Sequence, residues 1–539
     1  MRLGTPGLKI GIFPSTAFEE RRAFFCILGE ALNLTFEARD GSDYENLTGL
    51  LVFSDSPSHL ETCRESGLSV LHFRISGPQQ SIPTKNVKFA TSDAIHASFR
   101  GQTFNDESLT TFCPLRVEQE ILAWIEGFPV WTREPVGKQS LHTVGIDLPL
   151  CGPDGFFYQF FQYSSWFRVL PLLTFLKDCV PVSCWLEAEA RASIIVDDPN
   201  LHRTDYGFID YRNLVRHADQ HNYHVSIAAI PLDMWYTNAA AVAIFRNNPE
   251  RISLIFHGID HTLYELGQEC SDETAFAILA AGLKRVERFE RKSGLSVGRV
   301  MTAPHGAFAE HFARAMTLLA FEGACVSLPS LLNWNPQRHW PADTGLSFAQ
   351  AMGTSLPVFH RFGPATIPLY SFLGHPIIVI SHHQDCVGNY NQFEKWASMI
   401  NGISKTRWCS VGEIARSNYC TQKSDDKLLV FLYSRYCLLD LPPGTTSLEF
   451  KSTAFCAKDV PVSLELLKGE REPVVMENLA LNWDKNSNRV SVQVIPSPLL
   501  AHQKINPPAT PWWPYLRRCI TEARDRALPL VPSWVHRKS

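Results

Sequence analysis

The 539 residues include fourteen cysteines but no C-x-x-C pair. That speaks against a zinc ribbon or a thioredoxin-like centre and points to free thiols in a reducing compartment. No block of basic residues occurs. Fifty Lys and Arg stand against 54 Asp and Glu, for a net charge of −4, so the chain has no field able to neutralise a phosphate backbone, and nucleic acid is not an expected partner. No G-x-G-x-x-G follows the first apolar run, IGIFPSTAF, which leaves a nucleotide site without support. No apolar run is long enough for a bilayer: the greasiest stretch, Gly155 to Leu176, is interrupted by Gln159, Gln162, two serines, Arg168 and Pro171 and reads as a packed connector, so no transmembrane segment is expected. Gly4, Pro6 and Gly7 break up any signal-peptide core, and the expected location is cytoplasmic. Charged residues are somewhat sparse at 19%, beside 45% hydrophobic and 11% aromatic, the composition of a mostly folded globular chain.

The length predicts several folded units. From Leu8 to about Ser140, short apolar runs (LKIGIF, LTGLLVF, LSVLHFRI) alternate with helix-like segments, the pattern of an open, flavodoxin-like α/β sheet over 1–150. A helical connector is expected over 151–190. Between Ser193 and about Ser417, the runs SIIV, HVSIAAI, ISLIF, RVMTAP, ACVSL, PIIVIS and RWCSV are separated by helical stretches, one of them from Asp272 to Lys292 with a stop at Gly294. Repeated strand–helix units predict a parallel barrel or doubly wound sheet, here over 191–425. After Lys427, period-two runs (LLVFLYS, TSLEFKS, PVSLELL, RVSVQVI) predict a small antiparallel, sandwich-like β module over 426–505. A Pro- and Trp-rich tail with one short helix, 506–539, is expected to wrap the body.

In parallel α/β architectures, chemistry gathers at the C-terminal strand ends. Asp197 and Asp198 follow SIIV, His257 follows ISLIF, Pro304 and His305 follow RVMTA, and His382 and His383 follow PIIVIS. His257 and His261 are spaced i, i+4, so a helix starting there would put both imidazoles on one face. Two histidines and a carboxylate, with Asp198 the natural third ligand, make a hydrolytic site for one divalent ion, zinc in the first instance. Taken singly, the Asp pair also reads as a capped turn and the histidines as incidental to a helix start. Adjacent His382 and His383 must point to opposite faces of a strand. Asp205 and Tyr206 read equally as substrate contacts or as loop-ordering residues, and His305 as a substrate donor or a partly exposed loop residue. His217, His221 and His224, in the polar segment RHADQHNYHV, read as a solvated face, since nothing acidic accompanies them at a strand end.

The order VDDPN, HGIDH, TAPHG, VISHH resembles the polysaccharide deacetylase, or NodB-homology, family over about 220 residues, Ser193 to Ser417. The resemblance implies a deacetylase-type (β/α) barrel in which Asp198, His257 and His261 bind the metal, Asp197 is the general base and His382 the general acid. Pro304, His305, Tyr206 and His383 are then candidate substrate contacts. The implied reaction removes an N-acetyl group from an amino sugar, polysaccharide or related glycoconjugate. The sequence departs from the family pattern twice: Thr302 stands where an arginine usually pairs with the base, with Arg299 three residues earlier, and no D-x-x-D-W is present, LLNWNPQRHW lacking Asp. These departures keep open the alternative of a catalytically impaired carbohydrate-binding or assembly protein that retains a structural metal.

Overall fold

The computed structural model of the protein describes residues 8–41, 44–74, 77, 79–81, 86–116, 118–137, 139–161, 165–179, 189–346, 348–353, 355–424, 426–434, 436–451, 462–466, 471–474, 489–494, 499–507 and 509–530. The chain divides into two compact units, Met1–Trp185 with His339–Ser347, and Leu186–Arg338 with Phe348–Ser539.

The first unit is built on a nine-stranded sheet. Thr35–Ala38, Lys9–Phe13, Gly49–Val52, Ser69–Phe73 and Gln139–Val144 run parallel in that order. Phe128–Val136, Glu120–Ile125, Asn86–Phe89 and Thr103–Asn105 then continue it antiparallel. The parallel half, with Ile10, Ile12, Leu50 and Leu51 fully buried, is the part that reads as continuous apolar runs, because both faces of such strands are covered. The antiparallel half departs from the purely open α/β pattern. Its short alternating strands, such as NVKF with only Val87 and Phe89 buried, carry a weaker signal. Within the stretch expected as a connector, helix Leu170–Cys179 is buried from Leu170 through Leu176 and belongs to this unit.

The second unit carries a curled parallel sheet in the order Leu356–His360, Gly323–Val326, Val297–Thr302, Ile252–His257, Val225–Ala229, Arg191–Asp197, Ile377–His382. Phe362, two residues beyond the strand at one end, bridges Val379 in the strand at the other, so the sheet curls nearly shut. Strand Arg191–Asp197 is buried along its whole length, as a parallel strand covered on both faces must be. Helix Asp272–Ser293 is set by local chemistry: Ser271 caps it, Asp272 and Glu273 occupy its first turn, Arg291 and Lys292 its last, and Gly294 ends it at φ +68°.

The β segments after Tyr419 lie in this same unit, as a three-stranded and a four-stranded sheet. One pairing, Lys427–Leu432 with Ser447–Lys451, is parallel rather than antiparallel. The chain returns in the tail helix, Trp512–Ala527, which is inside out: Arg518 and Asp525 are buried, while Trp512 is 72% and Ile520 58% exposed. Among the described residues, no helix is long and apolar enough to cross a membrane.

Candidate metal centre

Asp197 ends the first strand of the curled sheet. The chain then turns at Asp198, whose φ of +84° is a conformation non-glycine residues adopt at a cost of about 1–3 kcal/mol and mostly at functional sites. His257 is the last residue of its own strand. The expected helix start after it is absent, since no helix begins before Asp272. A left-handed loop brings His261 back instead, with Gly258 at φ +59° and His261 at +52°. The buried Glu265 carboxylate organises that loop by accepting from the amides of Ile259 (2.6 Å), Asp260 (3.0 Å), His261 (3.2 Å) and Thr262 (3.4 Å). Burial pushes this carboxyl above its ordinary range, and the converging amide dipoles offset that push only in part.

The loop puts His261 Nε2 3.2 Å and His257 Nε2 3.7 Å from the same Asp198 oxygen, Oδ1. That oxygen is buried without a hydrogen-bond partner among the described residues, as is Oδ1 of Asp197. Buried carboxylate oxygens without hydrogen bonds are costly, and here the Asp198 oxygen converges with two imidazole nitrogens. The donor set fits one divalent cation of the zinc class. Both imidazoles are held below their ordinary pKa, first by burial, so they are neutral and able to ligate at pH 7. His257 Nδ1 is engaged by Thr302, 3.0 Å from its Oγ1 and 3.3 Å from its carbonyl, which fixes the ring with Nε2 toward Asp198. Thr302 therefore has a positioning task of its own.

The arginine missing at position 302 comes from another strand. Arg361, one residue past Leu356–His360, donates from Nη1 to Asp197 Oδ2 at 2.7 Å and from Nη2 to the Ala303 carbonyl at 3.3 Å. Burial would push the Asp197 carboxyl up, but Arg361 and then His257 outweigh it and hold it below the usual carboxylate range. Arg299, the nearer arginine in sequence, pairs with Glu290 instead. Sequence reasoning missed Arg361, although it carries the same signal as the other site residues, a charged side chain just after an apolar strand.

Asp197 and His382 are register partners on neighbouring parallel strands. His382 is exposed, and its charge bears on both Asp197 and Asp198. His383 is turned away, 2% exposed, packed on Tyr206 and Phe208, with Nε2 3.7 Å from Asp525 of the tail helix. Tyr206 is fully buried and its hydroxyl donates to Asp525 Oδ2 at 2.8 Å. Asp205 pairs with Arg526. Pro304 is buried beside Gly258. His305 is exposed at φ +54°, its ring 5.6 Å from that of His261 and 5.7 Å from that of Tyr264. Trp334, from the stretch without Asp, backs Tyr264 at 5.2 Å.

The tail helix brings further unforeseen residues. Arg518 is buried, donates to both Asp233 oxygens and to the Asp198 carbonyl, and lies 3.7 Å from Asp198 Oδ1. Nη2 of the neighbouring Arg517 is buried without a hydrogen-bond partner among the described residues. Nothing in the tail's sequence marks these arginines as facing a site 320 residues earlier. The three histidines read as a solvated face also need correction. His224 is fully buried between the Glu250 carbonyl and Ser253, and an acidic residue from a distant helix, Glu394, does stand beside His217 and His221.

No family model and no curated protein matches the chain. Among solved structures, it is similar to a family 4 carbohydrate esterase from Streptomyces lividans (11% identity, TM-score 0.26, covering 41% of this chain and 92% of that one). It is also similar to the peptidoglycan deacetylase PdaC from Bacillus subtilis (9%, 0.24, 42% and 90%). A further likeness is to a pseudoenzyme of the same esterase family from Bacillus anthracis (10%, 0.26, 44% and 71%). Identities and TM-scores this low assign no activity.

Proposed function

We propose that the second unit is a metal-dependent hydrolase that removes an N-acetyl group from an amino sugar, polysaccharide or related glycoconjugate. The observation that carries this reading is the buried Asp198 oxygen, without a hydrogen-bond partner among the described residues, converging with His257 and His261, with the Asp197 carboxylate next to it in the chain. Asp198, His257 and His261 would hold the ion, with zinc the expected metal. Such an ion polarises an acyl oxygen and makes water more acidic. Asp197, kept ionised by Arg361, takes the proton from the attacking water. The water oxygen bonds to the acyl carbon, the C–N bond breaks, and His382 gives its proton to the leaving nitrogen. His305, exposed with its ring beside that of His261, would contact the substrate, while the buried Pro304, Tyr206 and His383 would act from behind the surface.

Metal analysis paired with an acetate-release screen on N-acetylated sugars tests this. Asp197→Asn should keep its metal and lose about 10²- to 10⁴-fold in acetate release, and Asp198→Asn should lose the metal. Full activity in Asp197→Asn, or in metal-free protein, would remove the reading. The alternative, a binding protein with a structural metal, draws on the Arg518 guanidinium beside Asp198. Binding of acylated sugars by metal-loaded protein without turnover would favour it.

A further inference from the structure

Helix Tyr211–Gln220 carries His217, and His221 follows as its C-cap. Glu394 lies in the first turn of helix Asn391–Ile403. One ligand atom from each of the three lies within 4.8 Å of the other two. The imidazoles stack with centroids 4.2 Å apart, and His221 Nδ1 is 3.8 Å from Glu394 Oε1. This donor set, two histidines spaced i, i+4 and one carboxylate, repeats that of the first site on different elements.

Two observations favour a ligand here over a chance surface cluster. His217 Nδ1 is engaged at 2.9 Å by the Tyr223 hydroxyl, an outer partner of the kind that fixes ring orientation and leaves the other nitrogen to ligate. The two helices are also tied at both ends: Asn401 Nδ2 donates to the carbonyls of His221 and Asn222, and the Tyr390 hydroxyl both donates to the carbonyl and accepts from the amide of Asp210. The donors thus sit on a preset backbone. Tetrahedral zinc at about 2.0–2.1 Å from each donor requires ligand atoms about 3.3 Å apart, within a small side-chain adjustment of the observed spacing.

We propose that His217, His221 and Glu394 form a second site for a divalent transition cation of the zinc class, independent of the first. It would staple the helix that follows the Asp197 strand to the helix that follows the His382 strand, and so brace the base and the acid.

Zinc chloride titrated into metal-free full-length protein, with bound metal counted after desalting and Tm recorded in parallel, tests the site. Asp198→Asn, which disables the first site, should still bind one equivalent and rise in Tm with zinc. Asp198→Asn combined with His221→Ala, or with Glu394→Gln, should bind none and show no rise, while matching the single variant's Tm without metal. Absence of bound zinc in Asp198→Asn, or equal zinc in the double variants, would overturn the proposal. Because all arms are read in the Asp198→Asn background, failure here is separable from failure of the first site, which the difference in bound zinc between wild type and Asp198→Asn reports.

Discussion

Arg361 and Asp197 form a buried pair, and breaking such a pair by removing one partner costs about 3–5 kcal/mol. Arg361→Met should therefore lower stability and leave the Asp197 carboxyl to the upward push of burial. The sign for activity follows: a base must be ionised, its activity is lost as pH falls through its pKa, and raising that pKa starts the loss at higher pH. A pH–rate profile of the variant should have its acid limb displaced upward, while metal content stays at the wild-type level. Gly258 is a second sensitive position. A Cβ there would collide with the Glu265 carboxylate and lie 2.6 Å from Pro304 Cγ, at a φ that disfavours side chains. Gly258→Ala should cost about 1–3 kcal/mol and weaken zinc binding, readable by thermal melting and by metal titration. At this scale the sequence showed the residues brought together at strand ends but not their partners. Asp197, Asp198 and His257 announce themselves at the ends of apolar runs. Arg361 does the same, but its pairing with a residue 164 positions away is a tertiary fact that no local spacing encodes.

The tail helix is the element whose role the sequence hid most. Its inward face is polar, so hydrophobic periodicity points the wrong way; its hold on the body runs through Arg518 to Asp233, Arg526 to Asp205, and Glu522 to His202. His202 meets two acceptors, Glu522 Oε2 at 2.8 Å through Nδ1 and the Asp233 carbonyl at 2.7 Å through Nε2, an environment for imidazolium. Burial disfavours that charge, yet the Glu522 hydrogen bond and charge together with the Asp233 contacts outweigh it and raise the pKa above 6.5. Its contribution is thus complete below about 6.5 and lost as pH rises through the raised value. Glu522 has the opposite sign: lowered from 4.5 to about 2, it contributes above about 4.5 and fades as pH falls toward 2. Docking should be tightest between those limits. Hydrogen exchange over Trp512–Ala527 should show protection falling on the alkaline side, and His202→Gln should flatten that limb. The H-x-x-x-H segment is a second misread element. Its spacing fits a helix face equally well, and only Glu265, four residues beyond His261, marks a loop that needs an anchor.

For the whole molecule, a cation bound only by the folded form adds RT ln(1 + [L]/Kd), about 4 kcal/mol at a thousand times Kd. Chelation should therefore lower Tm, restoration of zinc should recover it, and the Asp198→Asn, His221→Ala double variant should be insensitive to both; an insensitive wild type would argue against metal binding at either site. The sheet that carries the first site was legible because parallel strands buried on both faces print continuous apolar runs. The antiparallel half of the first unit, and the placement of the β segments in the same unit as the curled sheet, were not, since short alternating strands do not declare which body they join.

Arg518 emerges from the ribosome 320 residues after Asp198. At about 5–20 residues per second, the interval is roughly 16 to 64 s. His257 and His261 follow Asp198 by 59 and 63 residues, and for the rest of the interval the nascent ligand cluster stands without the helix that later sets Arg518 beside Asp198. If the site binds the proposed ion, loading during synthesis would meet the ligands without the Arg518 guanidinium beside them and loading after release would meet it in place, so that the history of the chain, not only its composition, would set how fast the ion is acquired.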